Sequence, residues 1–478
     1  MKKVKYKTHC RLRSTLVFVF LLGSLSTFSQ SNLTIDDSNS PFHILSDTTI
    51  ESGDTLLLLA GAELFMGDHV DVFIKGVLRI KGDAENRVNV RPVNPGIGWG
   101  EFKIATHVDS LIIENAFIED GRFLSYNTIN IFENVEFVNN QNLAWDAAIS
   151  RFIEGELNIN NCKIYGSNKG EGFLVHSINN PQVLNSYFNA IPDAVEYLNC
   201  TEGRIGKCQF FDMIDDAIDL NNCYKTLLDS NLMVSIGDRA MEIGSENFGS
   251  SREIQVYRNV LVNCEEGVNF KEGSTGSIVN NTFYQNQKAV TVIADGRPNI
   301  GSSVQVVNCI FDQNQTPIYK DNSSSYTVDF SSSSSTLLIG TENLFVAPNF
   351  NNPTSLDFSL KPNSKCIDAG DRNAGKLDRD NTYLDLGALY FDQSIKRAIQ
   401  SEVTLFPNPT SSILNVKVVG YSNQIQIINS NGQLQREVDI ISNYSTRIKL
   451  NVSSLNRGLY VLVITGETGK SRHKFVKL

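Results

Sequence analysis

Ala194-Val-Glu-Tyr197, Ala217-Ile-Asp-Leu220 and Ala240-Met-Glu-Ile243 repeat one pattern, small–apolar–polar–apolar, with starts 23 residues apart. The pattern continues outward: Gly172-Phe-Leu-Val175 precedes it, and Gly267-Val-Asn-Phe270 and Ala289-Val-Thr-Val292 follow, at steps of 22, 27 and 22. Strand geometry, with its period of two, sends the apolar pair to one side and the third residue to the other. A second series runs in step with the first. Its apolar anchors are Phe117, Phe137, Ile164, Phe188, Phe210, Leu232, Leu261, Phe283 and Phe311, each with a small or polar residue two positions earlier. No stretch of comparable length shows helical periodicity. Short strands returning at a step near 22 predict an all-β fold, a right-handed parallel β-helix, with the third residue of each unit facing solvent.

Other features fit such a coil. Asn161, Asn185, Asn280 and Asn308 stand just before the second series, where corners that visit the left-handed region favour asparagine and let its amides stack. The segment 42–92, with Ile50-Glu-Ser-Gly53 and Gly76-Val-Leu-Arg-Ile80, begins the coil and caps it. The Ser-rich stretch 322–336 reads as a loop.

The 478-residue chain carries 42 Lys+Arg against 52 Asp+Glu, a formal charge of −10. Its charge is unevenly spread. Lys2, Lys3, Lys5, Lys7, Arg11 and Arg13 precede the apolar run Leu16–Leu22, and Thr27-Phe28-Ser29 supplies small residues for cleavage before Gln30, the layout of a secretory signal over 1–29. That apolar run is short for a membrane span, and no later one approaches the needed length, so no transmembrane segment is expected in the mature chain. From Glu402 onward the sequence is basic, with nine Lys/Arg against four acids; the body between the two ends is strongly acidic. An acidic body excludes nucleic acid as a partner, since phosphate binding needs clustered Lys and Arg.

The C-terminal part, 402–478, also changes pattern. Short alternating strands at Ile413–Val418, Gln424–Ile428, Arg447–Leu450 and Leu459–Ile464, with Asn431-Gly432 as a turn, predict a small antiparallel β-sandwich. Residues 395–401 read as the linker to it, leaving 30–394 for the β-helix. Phe406-Pro-Asn-Pro-Thr410, Asn431-Gly432, Leu455-Asn-Arg-Gly-Leu-Tyr460 and the basic tail Lys470–Leu478 resemble the type A C-terminal sorting domain of the type IX secretion system of Bacteroidota. That resemblance implies the secretion machinery as a partner and export to the extracellular space or the outer cell surface. The coil itself resembles the pectate-lyase-like β-helix superfamily. Its end, Phe345–Phe350, Phe358–Ser364, Ile367-Asp-Ala-Gly370 and Leu384-Asp-Leu-Gly387, is similar to the closing segment of many secreted β-helix proteins.

Registering the repeats places chemistry-bearing residues one above another. Glu196, Asp219 and Glu242 fall in a row on successive coils, flanked by Asp193, Asp215, Asp216 and Asp238. Carboxylates about 5 Å apart repel by roughly 3 kcal/mol at an effective dielectric of 20. Such a row must raise its pKa values, recruit Arg239 and Lys271, or hold a cation. Oxygen-only donors point to Ca²⁺; the alternative is a solvated acidic ladder. The run Ile214-Asp-Asp-Ala-Ile-Asp-Leu220 resembles the DDxxD calcium motif of family-9 pectate lyases, which implies Asp215, Asp216, Asp219 and Asp193 as ligands. Those lyases carry a catalytic Lys on the next coil, where this chain has Glu242; Lys271, one coil further, is the stand-in, with Arg239 and Asp219 beside it. Paired carboxylates also suit a glycoside hydrolase.

Seven cysteines remain in the mature chain. Cys200 and Cys223 occupy equivalent places on adjacent coils, within reach of one disulfide, and the others read as buried thiols. The expected protein is a secreted monomer that binds or degrades an extended polysaccharide, either as a lyase or as a glycoside hydrolase. The alternative is a non-catalytic surface adhesin or matrix protein.

Overall fold

The computed structural model describes residues 32–139, 147–166, 169–245, 249–297, 299–393, 403–429, 432–466 and 469–478. The expected signal (1–29) and linker (395–401) lie outside the described residues. From Asn32 to Phe345 the chain winds as a parallel β-helix whose strands form three columns in one 35-stranded, all-parallel assembly. The first column rises from Thr48–Ile50 through Val195–Leu198, Ile218–Asn221 and Arg239–Gly244 to Thr316–Lys320. The second runs from Asn32–Ile35 to Ser325–Asp329, and the third from Phe42–Ile44 to Leu344–Phe345.

The corners are tight because single residues turn the chain. Asn161, Asn185, Asn280 and Asn308 have φ of 52°, 52°, 54° and 56°, the left-handed conformation expected of them. The strand Arg122–Val138 passes through all three columns, turning at Asn127 and Asn134 (φ 49° and 55°). Inside, aromatic rings stack along the axis; Phe188 lies on Phe210 at 4.9 Å and Phe283 on Phe311 at 5.0 Å. From Cys162 upward, the residue after the third-column corner turns inward, and its N–H points along the axis to the next rung. There it meets a side-chain acceptor: Cys208 N–H donates to Asn231 Oδ1, Asn231 N–H to Asn259 Oδ1, and Asn259 N–H to Asn281 Oδ1. Each of these Asn amides also donates to a backbone carbonyl, so a buried polar column is satisfied within the apolar core.

Several expectations need correction. Ile118 and Met233, not Phe117 and Leu232, occupy the core column of the second series. At both places an apolar residue also stands on the outer side, which disguises the alternation; Phe117 is covered outside by the guanidinium groups of Arg87 and Arg91. The Ser-rich stretch is no simple loop, since Ser325–Asp329 is the last rung of the second column and Ser332–Ser333 the last but one of the third, below Leu344–Phe345. Serine fits there because Ser324 and Ser331 hydroxyls accept the N–H groups of Ser302 and Cys309 below. Cys200 and Cys223 are free thiols. They point in parallel toward the core and donate to the carbonyls of Val175 and Tyr197 on the rungs below; side chains aligned along a parallel ladder do not turn toward one another as a disulfide requires. Finally, the upper part of the third residue's column is buried, with Glu242, Asn269 and Thr291 at 5%, 2% and 1% exposure.

The closing segment after Phe345 lies on the outside of the coil. Phe350, Phe358, Leu360, Leu386 and Ala388 pack on the outward side chains Val260, Val262, Tyr284 and Ile310 of the third column. This explains why Val260-Leu-Val262 is apolar on both faces. Residues 403–477 form a separate five-stranded antiparallel unit, in which Ile413–Asn429 pairs with Val403–Phe406 at its start and Gly458–Gly466 at its end. The basic tail is itself a strand, Gly469–Lys477, paired with Gly458–Gly466. Leu414, Val416, Ile425, Ile427, Leu462 and Phe475 make its core.

Candidate functional site

Four in-register strand pairings build the site on the first column. Glu196 pairs with Asp219, Asp219 with Glu242, Glu242 with Asn269 and Asn269 with Thr291. The corner just before these strands carries Asp193, Asp216, Arg239, Glu266 and Lys288 up successive rungs, and Arg239 and Glu266 are direct partners. The corner is held by its own carboxylates. Asp216 N–H donates to Asp193 Oδ1 and Arg239 N–H to Asp216 Oδ1, both at 2.9 Å.

Asp215, Asp216 and Asp238 converge, with one carboxylate oxygen from each within 4.8 Å of the others. Burial, together with neighbouring carboxylates, pushes Asp193 up to about 6 and Asp216 up to about 9, and raises Asp215. Asp219 is held well above the carboxylate range by burial first and by Glu242 second. Its Oδ2 accepts from Asn221, while its buried Oδ1 has no hydrogen-bond partner among the described residues. Asp216 therefore holds a proton, or requires a cation, near neutral pH, and the shifts of Asp193, Asp215 and Asp219 run in the same direction.

Two basic side chains supply part of the compensation. Arg239 Nη1 lies 2.6 Å from Glu242 Oε2, 2.8 Å from Asp238 and 3.7 Å from Asp216. Lys271 Nζ is in close contact with Glu242 Oε1 and lies 3.9 Å from Asp295. Burial works against the charge on Lys271, but its hydrogen bond and attraction to Glu242 outweigh that and raise its pKa. Gly244 makes the pairing feasible, because a Cβ there would come within 2.5 Å of the Lys271 side chain lying across it. Glu242 thus sits between two cations and acts as their counterion.

The sequence-predicted residues are therefore brought to one face, but in two groups. Asp215, Asp216 and Asp238 form an oxygen cluster, with Asp193 hydrogen-bonded to it from the coil below; Glu242, Arg239 and Lys271 form an ion-pair network beside it. Asp219 borders both. Asp295 escaped the repeat pattern because it follows the strand Lys288–Val292 outside any recurring position; Gly244 holds a recurring position, in register with Asn221 and Leu198, but its role depends on Lys271 reaching across it. An all-carboxylate donor set fits a hard divalent cation such as Ca²⁺; burial first and neighbouring carboxylates second raise Asp215 and Asp216, with Arg239 opposing the shift. Arg239 is the group such a cation would have to share the cluster with.

Residues 404–478 match the family model described as the secretion system C-terminal sorting domain. The chain ends in a type IX sorting domain. The protein is accordingly exported, to the extracellular space or the outer cell surface, and its last residues engage the secretion machinery. Among the described residues, no helix is long and apolar enough to cross a membrane. No curated protein sequence matches the chain. Among solved structures, it is similar to an alginate lyase from Paenibacillus sp. str. FPU-7 (10% identity, TM-score 0.26, covering 57% of this chain and 92% of that one). It is also similar to a mannuronic acid specific polysaccharide family 6 lyase from human gut microbiota (11%, 0.33, 68% and 93%). A third similarity is to tailspike protein 2 of Escherichia coli O157:H7 bacteriophage CAB120 (9%, 0.27, 91% and 59%).

Proposed function

We propose that the exported β-helix binds an extended polysaccharide along its first column, with a divalent cation at Asp215, Asp216 and Asp238. The observation that carries this reading is the convergence of these three carboxylates, on one face with the Glu196–Asp219 row, on an exported protein. Rungs about 4.8 Å apart repeat polar groups at nearly the rise of one sugar in an extended chain. Asp193, Asp215, Asp216 and Asp238 would hold the ion, and a bound Ca²⁺ would supply positive charge toward a sugar carboxylate or hydroxyl. Binding is favoured over elimination because Lys271, the stand-in base, is kept protonated by Glu242, whereas a general base needs a lowered pKa.

The test is a panel of immobilised polysaccharides, uronate-containing and neutral, probed with the purified protein in Ca²⁺ and in chelator. Retention that falls at least about tenfold in chelator, and likewise in Asp216→Asn, is the expected result. Retention on no polysaccharide would overturn the reading. Retention indifferent to Ca²⁺ would remove the cation from it. Appearance of unsaturated products absorbing in the ultraviolet, lost in Lys271→Ala, would replace binding by lyase chemistry.

A further inference from the structure

The guanidinium of Arg239 stands inside the ligand set proposed for the cation. Its Nη1 lies 2.8 Å from Asp238 and 3.7 Å from Asp216, two of the three converging carboxylates, and 2.6 Å from Glu242 Oε2. Charge, rather than aligned hydrogen bonding, holds it there. Arg239 Nε and Glu242 Oε2 are both buried with no hydrogen-bond partner among the described residues. An arginine fixed in one place uses its planar fork for paired donors, and this contact does not.

A second seat for the same side chain lies one rung up. Arg239 is the in-register partner of Glu266, whose carboxylate accepts from Lys288 Nζ and from Asn269 Nδ2, both at 2.6 Å. Asn269 stands directly above Glu242 and is 2% exposed, and its Oδ1 has no hydrogen-bond partner among the described residues. A buried acceptor left without a donor is costly. A guanidinium leaving the cluster toward Glu266 would meet that oxygen.

We infer that Arg239 is a built-in counterion of the acidic cluster, one that a metal ion must displace, and that its charge restricts the site to divalent cations. This rests on the cation reading above and names what controls that site. The selectivity follows from charge balance. A guanidinium and a metal ion on the same carboxylates repel at short range, so they do not share the site. A monovalent ion would replace one positive charge by another and gain nothing for the acids. A divalent ion adds a charge, while Arg239 finds Glu266 and Asn269 Oδ1. Asn269 is then a positioning residue, acting on the ion only through Arg239.

Ca²⁺ binding is measured by isothermal titration calorimetry at pH 8 on the full secreted protein, Arg239→Gln, Arg239→Lys, Asn269→Ala and the Arg239→Gln/Asn269→Ala double variant. Melting curves in sodium chloride and in choline chloride, at equal ionic strength, report monovalent binding. Arg239→Gln is expected to bind Ca²⁺ at least about tenfold more tightly, and to melt higher in sodium than in choline, a difference the wild type lacks. Arg239→Lys, which keeps the charge, should stay within about threefold of the wild type. Asn269→Ala should weaken Ca²⁺ binding about threefold, a loss that vanishes in the double variant. A folded Arg239→Gln with unchanged or weaker Ca²⁺ affinity would overturn the inference and leave the cation reading standing, as would wild-type stabilisation by sodium. Should Arg239→Gln melt too low to titrate, undiminished affinity in Asn269→Ala decides against displacement. Calcium bound by none of these proteins would end the cation reading and, with it, the role given to Arg239.

Discussion

At the scale of single residues, the acidic corner stores a conflict that shows in the pH dependence of stability. Asp193 and Asp216 have folded-state pKa values of about 6 and about 9 against 3.8 in the unfolded chain, burial being the main cause in both. Between pH 4 and pH 9 the folded protein therefore holds protons that the unfolded chain has released. Stability is greatest at the acidic end of that window and falls as pH rises through each folded value. In chelator, the melting temperature should be higher at pH 5 than at pH 8 by a few degrees. Asp216→Asn should flatten that slope and raise the melting temperature at pH 8, because the amide oxygen still accepts from Arg239 N–H without carrying charge. Added Ca²⁺ should raise it most at pH 8. Differential scanning calorimetry of both proteins, with and without Ca²⁺, reads all of this; a wild-type melt that rises from pH 5 to pH 8 in chelator would contradict the buried-carboxylate account.

At the scale of elements, each rung is short, often three residues in the third column, so the corners carry much of the specificity. Asn259 illustrates how. Its Oδ1 accepts from the backbone of Asn231 below, and its Nδ2 donates to the carbonyl of Leu228. Alanine at this position would leave a buried N–H and a carbonyl short of partners and is expected to cost about 2–4 kcal/mol. Asn185, at an exposed corner with φ of 52°, keeps its amide on the surface. Asn185→Ala gives up the left-handed preference and is expected to cost about 1 kcal/mol. Denaturant titration of the two variants should show Asn259→Ala as clearly the more damaging; equal losses would mean that the internal ladder contributes no more than turn propensity.

At the scale of the whole molecule, the sorting unit and the acidic face lie on separate stretches of chain. The unit at 403–477 has its own apolar core and its own antiparallel sheet, while the coil holds the face proposed to bind polysaccharide. Deleting 404–478 should leave the coil folded but retained in the cell envelope, as seen by fractionation and immunoblotting against the full-length protein. Equal amounts in the medium or on the surface with and without these residues would speak against their sorting role.

The sequence alone determined the coil. A small–apolar–polar–apolar unit returning near every 22 residues can bury its apolar pair only by stacking, so residues far apart in the chain became neighbours in the order the repeat implied; the pairing of Glu196, Asp219 and Glu242 follows directly. The pattern was misleading wherever an outward position was also apolar, as at Phe117 and Leu232, because alternation is then ambiguous by one residue. The tertiary structure decided what periodicity cannot encode. It packed the closing segment on the outside of the third column, set Glu242 between Lys271 and Arg239, and brought Arg122 and Arg151 onto one buried carboxylate in rungs that lack the small–apolar–polar–apolar unit. The physical reason is that repeat spacing fixes which backbones lie side by side, whereas charge compensation depends on how far long side chains reach between rungs.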